Sequence, residues 1–298
     1  MNQTTLKNTY SFEGKGLHTG KFAKASLKPA GADTGIVIVR TDLGGARIPA
    51  LASSVDSTRR STLLRCGKAK AGTVEHVMSA LTGLGVDNAV IELDGPEMPI
   101  LDGSAAPYVA AISRDGLQTL DAPRRWVEVK KEIIVRGSHG SWIKITPAVE
   151  PSYEITIDFP SKFPGKQTVS YREGDDYSSE IAPCRTFCFL REVWPMLVLG
   201  LARGGDVENA IVIVDRKVPG WRLKCMAKML GQPCLEVRPE GYLSNITLHF
   251  PDECGRHKLL DVIGDLRLGG GLLKARVEAY KPGHALNTAA AKAIFNQI

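Results

Sequence analysis

The sequence lacks several patterns that would each point to a particular class of protein. The six cysteines are Cys66, Cys184, Cys188, Cys225, Cys234 and Cys254. No two of them form a Cys-x-x-Cys pair, which argues against a zinc ribbon or a thioredoxin-like redox motif. The longest apolar run, near 194–202, is interrupted by Pro195 and Gly200 and is too short to span a bilayer. Because residues 1–16 contain no apolar stretch either, we expect no secretory signal, a cytoplasmic protein and reduced thiols.

Strong charge of either sign is also missing. The chain has 298 residues, and its 38 Lys and Arg residues against 32 Asp and Glu residues give a net charge of only +6. This mild basic excess permits an anionic ligand but does not require nucleic acid. The 43% hydrophobic and 23% charged fractions are those of a globular protein, which excludes disorder, a collagen-like repeat and a disulfide miniprotein. The length predicts roughly two domains.

Two halves of the sequence follow a similar order of patterns. Each opens with a strand-like segment at a glycine turn and continues with a β-branched run, at 36–39 and at 153–159. Each closes with a helix of apolar spacing, a glycine-rich turn and a strand, at 88–93 and at 274–279. We interpret this order as a duplicated unit. The alternative is a chance likeness, since strand–turn–strand openings are common.

The predicted fold class is therefore α+β, with two related domains at residues 1–122 and 126–298. The connection is expected near Asp121–Arg125, where proline and two arginines interrupt the pattern. The second half carries two additional segments, at 187–218 and 221–251.

The first additional segment, 187–218, has its own predicted order of elements. Its pattern predicts a helix from Leu190 to Leu201, a turn at Gly204–Gly205 and a strand from Ala210 to Val214. For the second segment, 221–251, the sequence indicates no chemical role.

The sharpest chemical pattern is His257-Lys-Leu-Leu-Asp261 on a predicted helix. A spacing of four places both side chains on one face, one turn apart, which suits two ligands of one divalent metal. Asp265 follows one further turn along that face. The alternative is an ordinary solvated face on which Asp261 forms a weak pair with a neighbour.

A second pattern, Thr73-Val-Glu75-His76, lies where the matching helix of the first half begins. Thr73 is a plausible N-cap, and because adjacent residues cannot both face the core, one of Glu75 and His76 is expected to reach a cleft. A glutamate beside a ligand histidine can act as general base on metal-activated water. Alternatively, Glu75 is only an acid in a first helical turn, where the helix dipole favours it.

Two further segments offer candidate groups. Gly283 and Pro282 predict a turn that presents His284 from a loop as an acid–base group, although an ordinary surface histidine fits equally well. In Cys184-Arg-Thr186-Phe-Cys188, Thr186 offers a hydroxyl, and we expect both cysteines to be buried free thiols.

A structural zinc site is a rival interpretation of some of these residues. His249, Cys254 and His257 lie within nine residues of one another, but no fourth ligand is evident nearby. This site would also leave the pair of Glu75 and His76 unexplained.

Taken together, six motifs resemble one family closely: the zinc-dependent UDP-3-O-acyl-N-acetylglucosamine deacetylases of lipid A biosynthesis. The matching motifs are G-K-G-L-H-T-G (Gly14–Gly20), T-V-E-H (Thr73–His76), D-G-S-A-A-P (Asp102–Pro107), R-T-F (Arg185–Phe187), R-H-K-L-L-D-V-I-G-D-L (Arg256–Leu266) and G-H-A-L-N (Gly283–Asn287). They cover essentially the whole chain, in order. The resemblance implies two α+β domains, each a sheet packed with helices in a β-α-α-β sandwich, with the active site between them.

The resemblance also implies a ligand set and a base. The zinc ligands would be His76, His257 and Asp261, and iron(II) is an alternative metal because this set accepts either ion. Glu75 would be the general base that directs water at the N-acetyl carbonyl.

Three more residues would act on the charge that develops during hydrolysis. Thr186 and protonated His284 would stabilise the oxyanion, and His284 would also protonate the leaving amine. Asp265 would orient His284 and favour its charged form.

The implied substrate contacts involve charged and apolar residues. Lys258 would contact the substrate, and Lys281 would contact the nucleotide diphosphate. This contact would explain part of the net positive charge of the chain. The segment 187–218 resembles the family's acyl-chain passage. Candidate substrate-contacting apolar residues are Leu63, Phe187, Phe189, Val193, Ala202 and Gly205.

The expected protein is thus an amidase that acts on a small acylated UDP-sugar, as a monomer, without nucleic acid and without stable membrane insertion. The competing hypothesis is a non-catalytic nucleotide-binding or nucleic-acid-binding protein with a structural zinc. Some relatives with an insertion like 221–251 are fused to a hydroxyacyl dehydratase. Because the sequence ends at Ile298, we expect no dehydratase in it.

Overall fold

A computed structural model describes residues 1–198 and 209–297 of the chain. Its strands are β1 (Asn2–Leu6), β2 (Tyr10–Lys15), β3 (Phe22–Pro29), β4 (Ile36–Arg40), β5 (Ala46–Pro49), β6 (Val55–Ser57), β7 (Leu63–Cys66), β8 (Ala69–Ala71), β9 (Ala89–Leu93), β10 (Leu117–Pro123), β11 (Val127–Glu128), β12 (Ile133–Arg136), β13 (Trp142–Pro147), β14 (Ser152–Asp158), β15 (Lys166–Arg172), β16 (Phe187–Phe189), β17 (Ile211–Ile213) and β18 (Leu273–Tyr280). Its helices are α1 (Glu75–Gly83), α2 (Ala106–Asp115), α3 (Tyr177–Glu180), α4 (Leu190–Val198), α5 (Gly220–Met229), α6 (Glu253–Leu266) and α7 (His284–Phe295).

Two sheets with the same topology organise the molecule. The first has the strand order β2-β3-β9-β4-β5, and the second has the order β12-β13-β18-β14-β15. In both, the last strand occupies the centre, antiparallel to one hairpin and parallel to the other. We call the parts built on these sheets the first unit and the second unit. The matching order confirms the predicted α+β fold with two related units.

The central strands have one buried face each. Strand β9 alternates buried and half-buried residues, and β18 alternates buried residues with half-buried or exposed ones, so each presents one apolar face to the helices. The helices α1 and α6 pack against each other and are buried along most of their length. The core therefore continues from one unit into the other, and the residues of these two helices meet at its centre.

One glycine permits the close approach of these two helices. A Cβ atom on Gly264 of α6 would overlap the carbonyl oxygen of Glu75 and lie 3.1 Å from the backbone nitrogen of Ser79. Only a residue without a side chain lets the α6 backbone come this near to the first turn of α1. The first turn of α1 is thereby held against the middle of α6.

Several local predictions need correction. Asp121 belongs to β10, which runs to Pro123 and pairs with β1, so the connection between the units begins later than expected. Thr73 does not cap α1, because its backbone is left-handed (φ 56°) and its hydroxyl donates to Glu97 at 2.8 Å. The predicted domain limits, 1–122 and 126–298, stay a prediction.

The additional segments of the second unit largely follow their predicted order. The helix predicted from Leu190 begins there as α4, and the predicted strand is the shorter β17. The last residues of that predicted helix and its Gly204–Gly205 turn lie outside the described residues. The segment 221–251 begins within α5. In the described parts of the chain, no helix combines the length and apolar character needed to cross a bilayer.

Candidate active site

The first turn of α1 and the middle of α6 bring three candidate metal ligands together. His76 comes from α1, and His257 and Asp261 lie one turn apart on α6. All three are buried, and one donor atom from each lies within 4.8 Å of the other two. The alternative of a solvated face for α6 is therefore wrong. Glu75 and His76 are both buried and both line the same cavity, so the premise that adjacent residues cannot both face the interior is wrong, and both of them, rather than one, reach the cleft.

The distances in this cluster suit a small divalent cation. The Nε2 atoms of His257 and His76 lie 3.4 Å and 3.9 Å from Oδ1 of Asp261. Ligands about 2.0–2.1 Å from a tetrahedral zinc ion are separated from one another by roughly 3.3 Å. Small movements of the side chains would therefore close the cluster on a cation.

The hydrogen bonds around the cluster leave the ligand atoms available. The Nδ1 atom of His257 donates to the Cys184 carbonyl at 2.9 Å, which directs the lone pair of Nε2 towards the cluster. Lys258 donates to Oδ2 of Asp261 at 2.7 Å. The other oxygen, Oδ1, is buried and accepts no hydrogen bond from any described residue. An orphaned buried carboxylate oxygen is costly without a partner, and a cation would supply one.

The protonation states of these three side chains also favour the binding of a cation. Burial lowers the pKa of His76 to about 3, and the neighbouring His257 adds to this effect. Burial likewise lowers the pKa of His257, although Asp261 opposes the shift. For Asp261, burial acts to raise the pKa, but Lys258 and the histidines outweigh it and hold the pKa well below its usual range. Two neutral imidazoles and one ionised carboxylate are the forms that bind zinc.

Glu75 lies beside the cluster in a position that suits a general base. Its Oε2 accepts the backbone N–H of Thr62 at 3.0 Å, and its Oε1 lies 3.9 Å from Nε2 of His284. Burial raises the pKa of Glu75 to about 8; the charge on His284 opposes the rise, and Asp265 and Asp261 add to it. A carboxyl with such a pKa can take up and release a proton near neutral pH.

His284 is the first residue of α7 rather than part of a loop, because the helix begins directly after Gly283. Its Nδ1 donates to Oδ2 of Asp265 at 2.9 Å, which leaves Nε2 facing Glu75 and Asp261. Burial acts to lower the pKa of His284, but Asp265, Glu75 and Asp261 together raise it to about 9. The imidazole is therefore a cation near neutral pH and can donate from Nε2.

Asp265 is buried and accepts hydrogen bonds from three side chains, two of which belong to α7. Besides His284, it accepts the hydroxyl of Thr62 at 2.5 Å and the side-chain amide of Asn287 at 2.9 Å. A carboxylate held in this way fixes the ring of His284 in one orientation. Thr62 thus contacts both acids of the site, one through its backbone and one through its hydroxyl.

A cavity of about 570 Å³ opens above these groups. The polar end contains the metal cluster, Glu75, His284, Lys258 and Thr186. The other end is apolar and extends into the additional segments of the second unit; its lining includes Phe187, Phe189, Val193, Val212, Met226, Leu230 and Leu243. The cavity therefore suits a ligand with a polar head and an apolar chain.

Two predicted substrate residues do not line this cavity, and two others are not among the described residues. Leu63 is half-buried in β7 and does not line it. Lys281 does not line it either; its ammonium lies 3.2 Å from Oδ2 of Asp158, and its backbone is left-handed (φ 52°). Ala202 and Gly205 lie outside the described residues.

Other residues of the site had no sequence signal strong enough to identify their role. His18 and Arg60 line the cavity, and Phe159 packs edge-on against Phe187 with ring centroids 5.7 Å apart. Glu97 accepts the backbone N–H groups of His18 and Thr19 at 2.9 and 2.8 Å, so it holds the turn that carries His18. The motif Gly14–Gly20 marked this turn without indicating its role.

The rival structural zinc site is not assembled. The ring Nδ1 of His249 is paired with the Pro183 carbonyl at 2.8 Å, and within the described residues the metal cluster that includes His257 contains neither His249 nor Cys254. Cys184 and Cys188 are free thiols, as expected, with Cys184 buried and Cys188 half-buried.

Comparison with known proteins finds relatives that match nearly the whole chain. The sequence profile of the UDP-3-O-acyl N-acetylglycosamine deacetylases matches residues 3–225 and 231–296. The UDP-3-O-acyl-N-acetylglucosamine deacetylase of Myxococcus xanthus is 42% identical over 96% of this chain and 84% of its own length. The protein of the same name from Phenylobacterium zucineum is 39% identical over 99% of this chain and 93% of its own length.

Some relatives are longer than this chain. The bifunctional enzyme LpxC/FabZ of Porphyromonas gingivalis is 42% identical over 99% of this chain, which spans 64% of that protein. The chain thus spans just under two thirds of such bifunctional relatives.

Proposed function

The chain belongs to the UDP-3-O-acyl N-acetylglycosamine deacetylase family, and from this premise we propose that it hydrolyses the N-acetyl group of UDP-3-O-acyl-N-acetylglucosamine. The products are acetate and the free amine of the acylated UDP-sugar, and the reaction belongs to lipid A biosynthesis. The observation that carries the proposal is the buried cluster of His76, His257 and Asp261 beside Glu75, at the polar end of a cavity whose other end is apolar.

The proposed cofactor is zinc, held by His76, His257 and Asp261. Two imidazole nitrogens and one carboxylate oxygen form a set that zinc accepts, and iron(II) accepts it too. When bound, the cation polarises the amide carbonyl and lowers the pKa of water. Lys258 holds Oδ2 of Asp261, so Oδ1 is the oxygen that would hold a cation.

Glu75 is the proposed general base. The backbone N–H of Thr62 fixes its Oε2, so Oε1 is the atom that takes the proton of the attacking water. Burial raises the pKa of Glu75, so its carboxylate, when ionised, is a stronger base than that of an exposed glutamate. The same proton can later pass towards the leaving nitrogen.

His284 is the proposed electrostatic group opposite the base. Its Nε2–H, charged because Asp265 and Glu75 raise the pKa to about 9, stabilises the oxyanion or protonates the leaving amine. Asp265 orients the ring through Nδ1, and Thr186, which lines the same end of the cavity, offers a hydroxyl donor.

The apolar end of the cavity is the proposed site of the acyl chain. Phe187, Phe189 and Val193 line it, as do Met226 of α5 and Leu230, which directly follows that helix. Lys258 is proposed to contact the sugar beside the metal cluster. Lys281, outside the cavity lining and paired with Asp158, is proposed to exchange this partner for a phosphate of the nucleotide.

A cytoplasmic monomer is the proposed working form. Every side chain of the cluster comes from one chain, so the site is complete without a partner subunit. Because acylated UDP-sugars are made from cytoplasmic nucleotides, we propose the same compartment for this protein.

The direct test is acetate release from UDP-3-O-acyl-N-acetylglucosamine by the zinc-loaded protein. We expect steady release that stops on chelation and returns when zinc is added. As a control, His76→Ala should retain neither zinc nor activity, because it removes one of three ligands. Binding of the nucleotide without any release of acetate would instead support the non-catalytic alternative and overturn the proposal.

A further inference from the structure

Helix α5 has two faces with different surroundings. On its inner face Met226 and Ala227 are buried, and Met226 and Leu230 line the active-site cavity. On its outer face Trp221 and Met229 are 62% and 45% exposed, although both are large and apolar. The inner face contributes to the lining of the cavity, whereas the outer face has no role in the proposed reaction.

The outer face carries an ordered apolar stripe. Trp221, Cys225 and Met229 follow one another at a spacing of four and are all exposed, so they lie on one side of the helix. The sulfur atoms of Cys225 and Met229 are 3.9 Å apart, which shows that their side chains run together along the surface. Such a stripe on the water side of a helix marks a surface for interaction rather than for the core.

Basic residues flank this stripe on both sides. Lys224 and Lys228 lie one turn apart on one side of it, and Arg222 lies on the other, with its guanidinium 5.3 Å from the centre of the Trp221 ring. The whole stretch 216–230 contains five basic residues and no acidic residue. This stretch therefore carries a local charge of +5.

A groove next to α5 extends the basic surface. It has a volume of about 210 Å³, and its lining combines apolar side chains with one acidic residue, Asp215, and four basic residues, Arg191, Arg216, Lys217 and Arg222. Arg191 is paired with Asp215, whereas Arg216 and Lys217 are exposed. The groove and the stripe therefore present one continuous surface of apolar and positively charged groups.

We propose that this outer face of α5 docks the protein on an anionic lipid surface. A tryptophan and other apolar side chains bordered by Lys and Arg form the pattern of helices that lie in the plane of a membrane interface. The charge complements that of anionic headgroups, which attract juxtamembrane basic residues. Within 216–230 no acidic residue offsets these charges, which favours an anionic lipid surface over a protein partner of mixed charge.

The position of α5 next to the cavity gives docking a functional purpose. This purpose rests on the proposed function. An α-helix with its side chains is about 10 Å across, so the lipid surface would lie one helix away from the apolar end of the cavity. A substrate with an acyl chain partitions into lipid. Docking would then hold the entrance of the cavity near the phase in which that chain is most soluble.

The test measures binding to vesicles without substrate, so it does not depend on the deacetylase assignment. Purified full-length protein is sedimented with vesicles of phosphatidylcholine, either alone or with 30 mol% phosphatidylglycerol. We expect binding only to the anionic vesicles and a marked loss of binding in 0.5 M salt, because the attraction is screened.

Two variants locate the contact. The triple variant Lys217→Glu, Lys224→Glu, Lys228→Glu should lower the partition coefficient at least about tenfold, since each basic residue near the surface contributes to binding. The matched variant Lys7→Glu, Lys68→Glu, Lys131→Glu makes the same change of charge at other exposed lysines and should bind nearly as well as the original chain. Equal losses in both triple variants would overturn the proposal.

A second measurement addresses the apolar stripe. Lipids brominated on the acyl chain should quench tryptophan fluorescence of the bound protein, and Trp221→Ala should remove most of this quenching. Deacetylation of a short-chain substrate in solution should stay unchanged in Trp221→Ala, which separates docking from catalysis. Absence of vesicle binding, or a dimer in solution that Trp221→Ala dissociates, would show that lipid does not cover this face.

Discussion

Thr62 links the two acids of the site from outside every recognised motif. Its backbone N–H holds Glu75, and its hydroxyl donates to Asp265, which in turn holds His284. No chemistry is assigned to Thr62 itself, so we regard it as a positioning residue. Its contribution should be visible in the rate of hydrolysis rather than in the content of metal.

The variant Thr62→Val tests this role, because it preserves the shape of the side chain and removes only the hydroxyl. We expect kcat to fall roughly tenfold, as a buried carboxylate oxygen loses a donor that contributes about 1–3 kcal/mol. Zinc content should not change. Thr62→Ser, which keeps the hydroxyl, should restore most of the rate; an equal loss in both variants would contradict the role of the hydrogen bond.

The sequence revealed the residues whose spacing is local. His257 and Asp261 lie one turn apart on α6, and Glu75 and His76 are adjacent, so their types and intervals made them candidates, and the resemblance of the motifs to one family implied their roles. Thr62 and Glu97 act through contacts with residues that are distant in sequence or that have no fixed interval from them. Such contacts are set by the packing of the two units, which a single sequence does not encode in a recognisable pattern.

At the scale of elements, the site depends on the contact between α1 and α6. The helices approach so closely because position 264 carries no side chain. His76 from one helix and Asp261 from the other must lie within reach of one ion, so any separation of the helices should loosen the cluster.

Gly264→Ala is expected to push these helices apart. The added methyl group would overlap the backbone of Glu75, and overpacking of this kind costs about 1–3 kcal/mol. We expect a lower melting temperature and loss of zinc during dialysis. Gly220→Ala, where nothing lies within 4 Å of the new methyl group, is the matched control and should keep its zinc. A fully metal-loaded, stable Gly264→Ala protein would disprove the requirement for close contact.

The start of α6 is fixed by a buried ion pair that the sequence did not reveal. Glu253 is fully buried and accepts Nε of Arg185 at 2.9 Å and the backbone N–H of His249 at 2.6 Å. Burial acts to raise the pKa of Glu253, but Arg185 and these backbone donors outweigh it and hold the pKa below its ordinary value of 4.5. The pair ties the segment with Thr186 and Phe187 to the helix of the metal ligands.

Glu253→Gln should lower the free energy of unfolding by about 3 kcal/mol at neutral pH, because it leaves Arg185 buried without its counter-charge. Since folding lowers the pKa of this acid, its contribution is complete above pH 4.5 and disappears as the pH falls through the folded-state pKa. Urea denaturation of both proteins between pH 7 and pH 3 should show the two stabilities converging. A difference that is constant with pH would contradict the account.

At the scale of the whole molecule, one candidate metal site joins two units of the same topology. The sequence predicted the duplication because the order of turns, runs and helices repeats, and the sheets confirm it. The sequence did not predict that α7 begins at His284 or that Lys281 pairs with Asp158. Both features depend on the backbone conformation of the residues that follow β18.

Removal of metal should therefore weaken the association of the units. A ligand present at a hundred times its Kd stabilises the folded state by about 2.7 kcal/mol. We expect chelation to lower the melting temperature by several degrees in calorimetry, and added zinc to restore it. His76→Ala should melt at one temperature with or without chelator; a chelator effect of equal size in this variant would place the stabilising metal elsewhere.

The most direct test of the central claim is the rate of acetate release by a Glu75→Gln protein that contains one zinc per chain. The substituted amide would keep the size of the side chain and its contact with Thr62 but could not accept a proton. The account predicts a rate about 10²–10⁴-fold below that of the original protein at equal zinc content. A zinc-loaded Glu75→Gln protein that releases acetate at the full rate would contradict it.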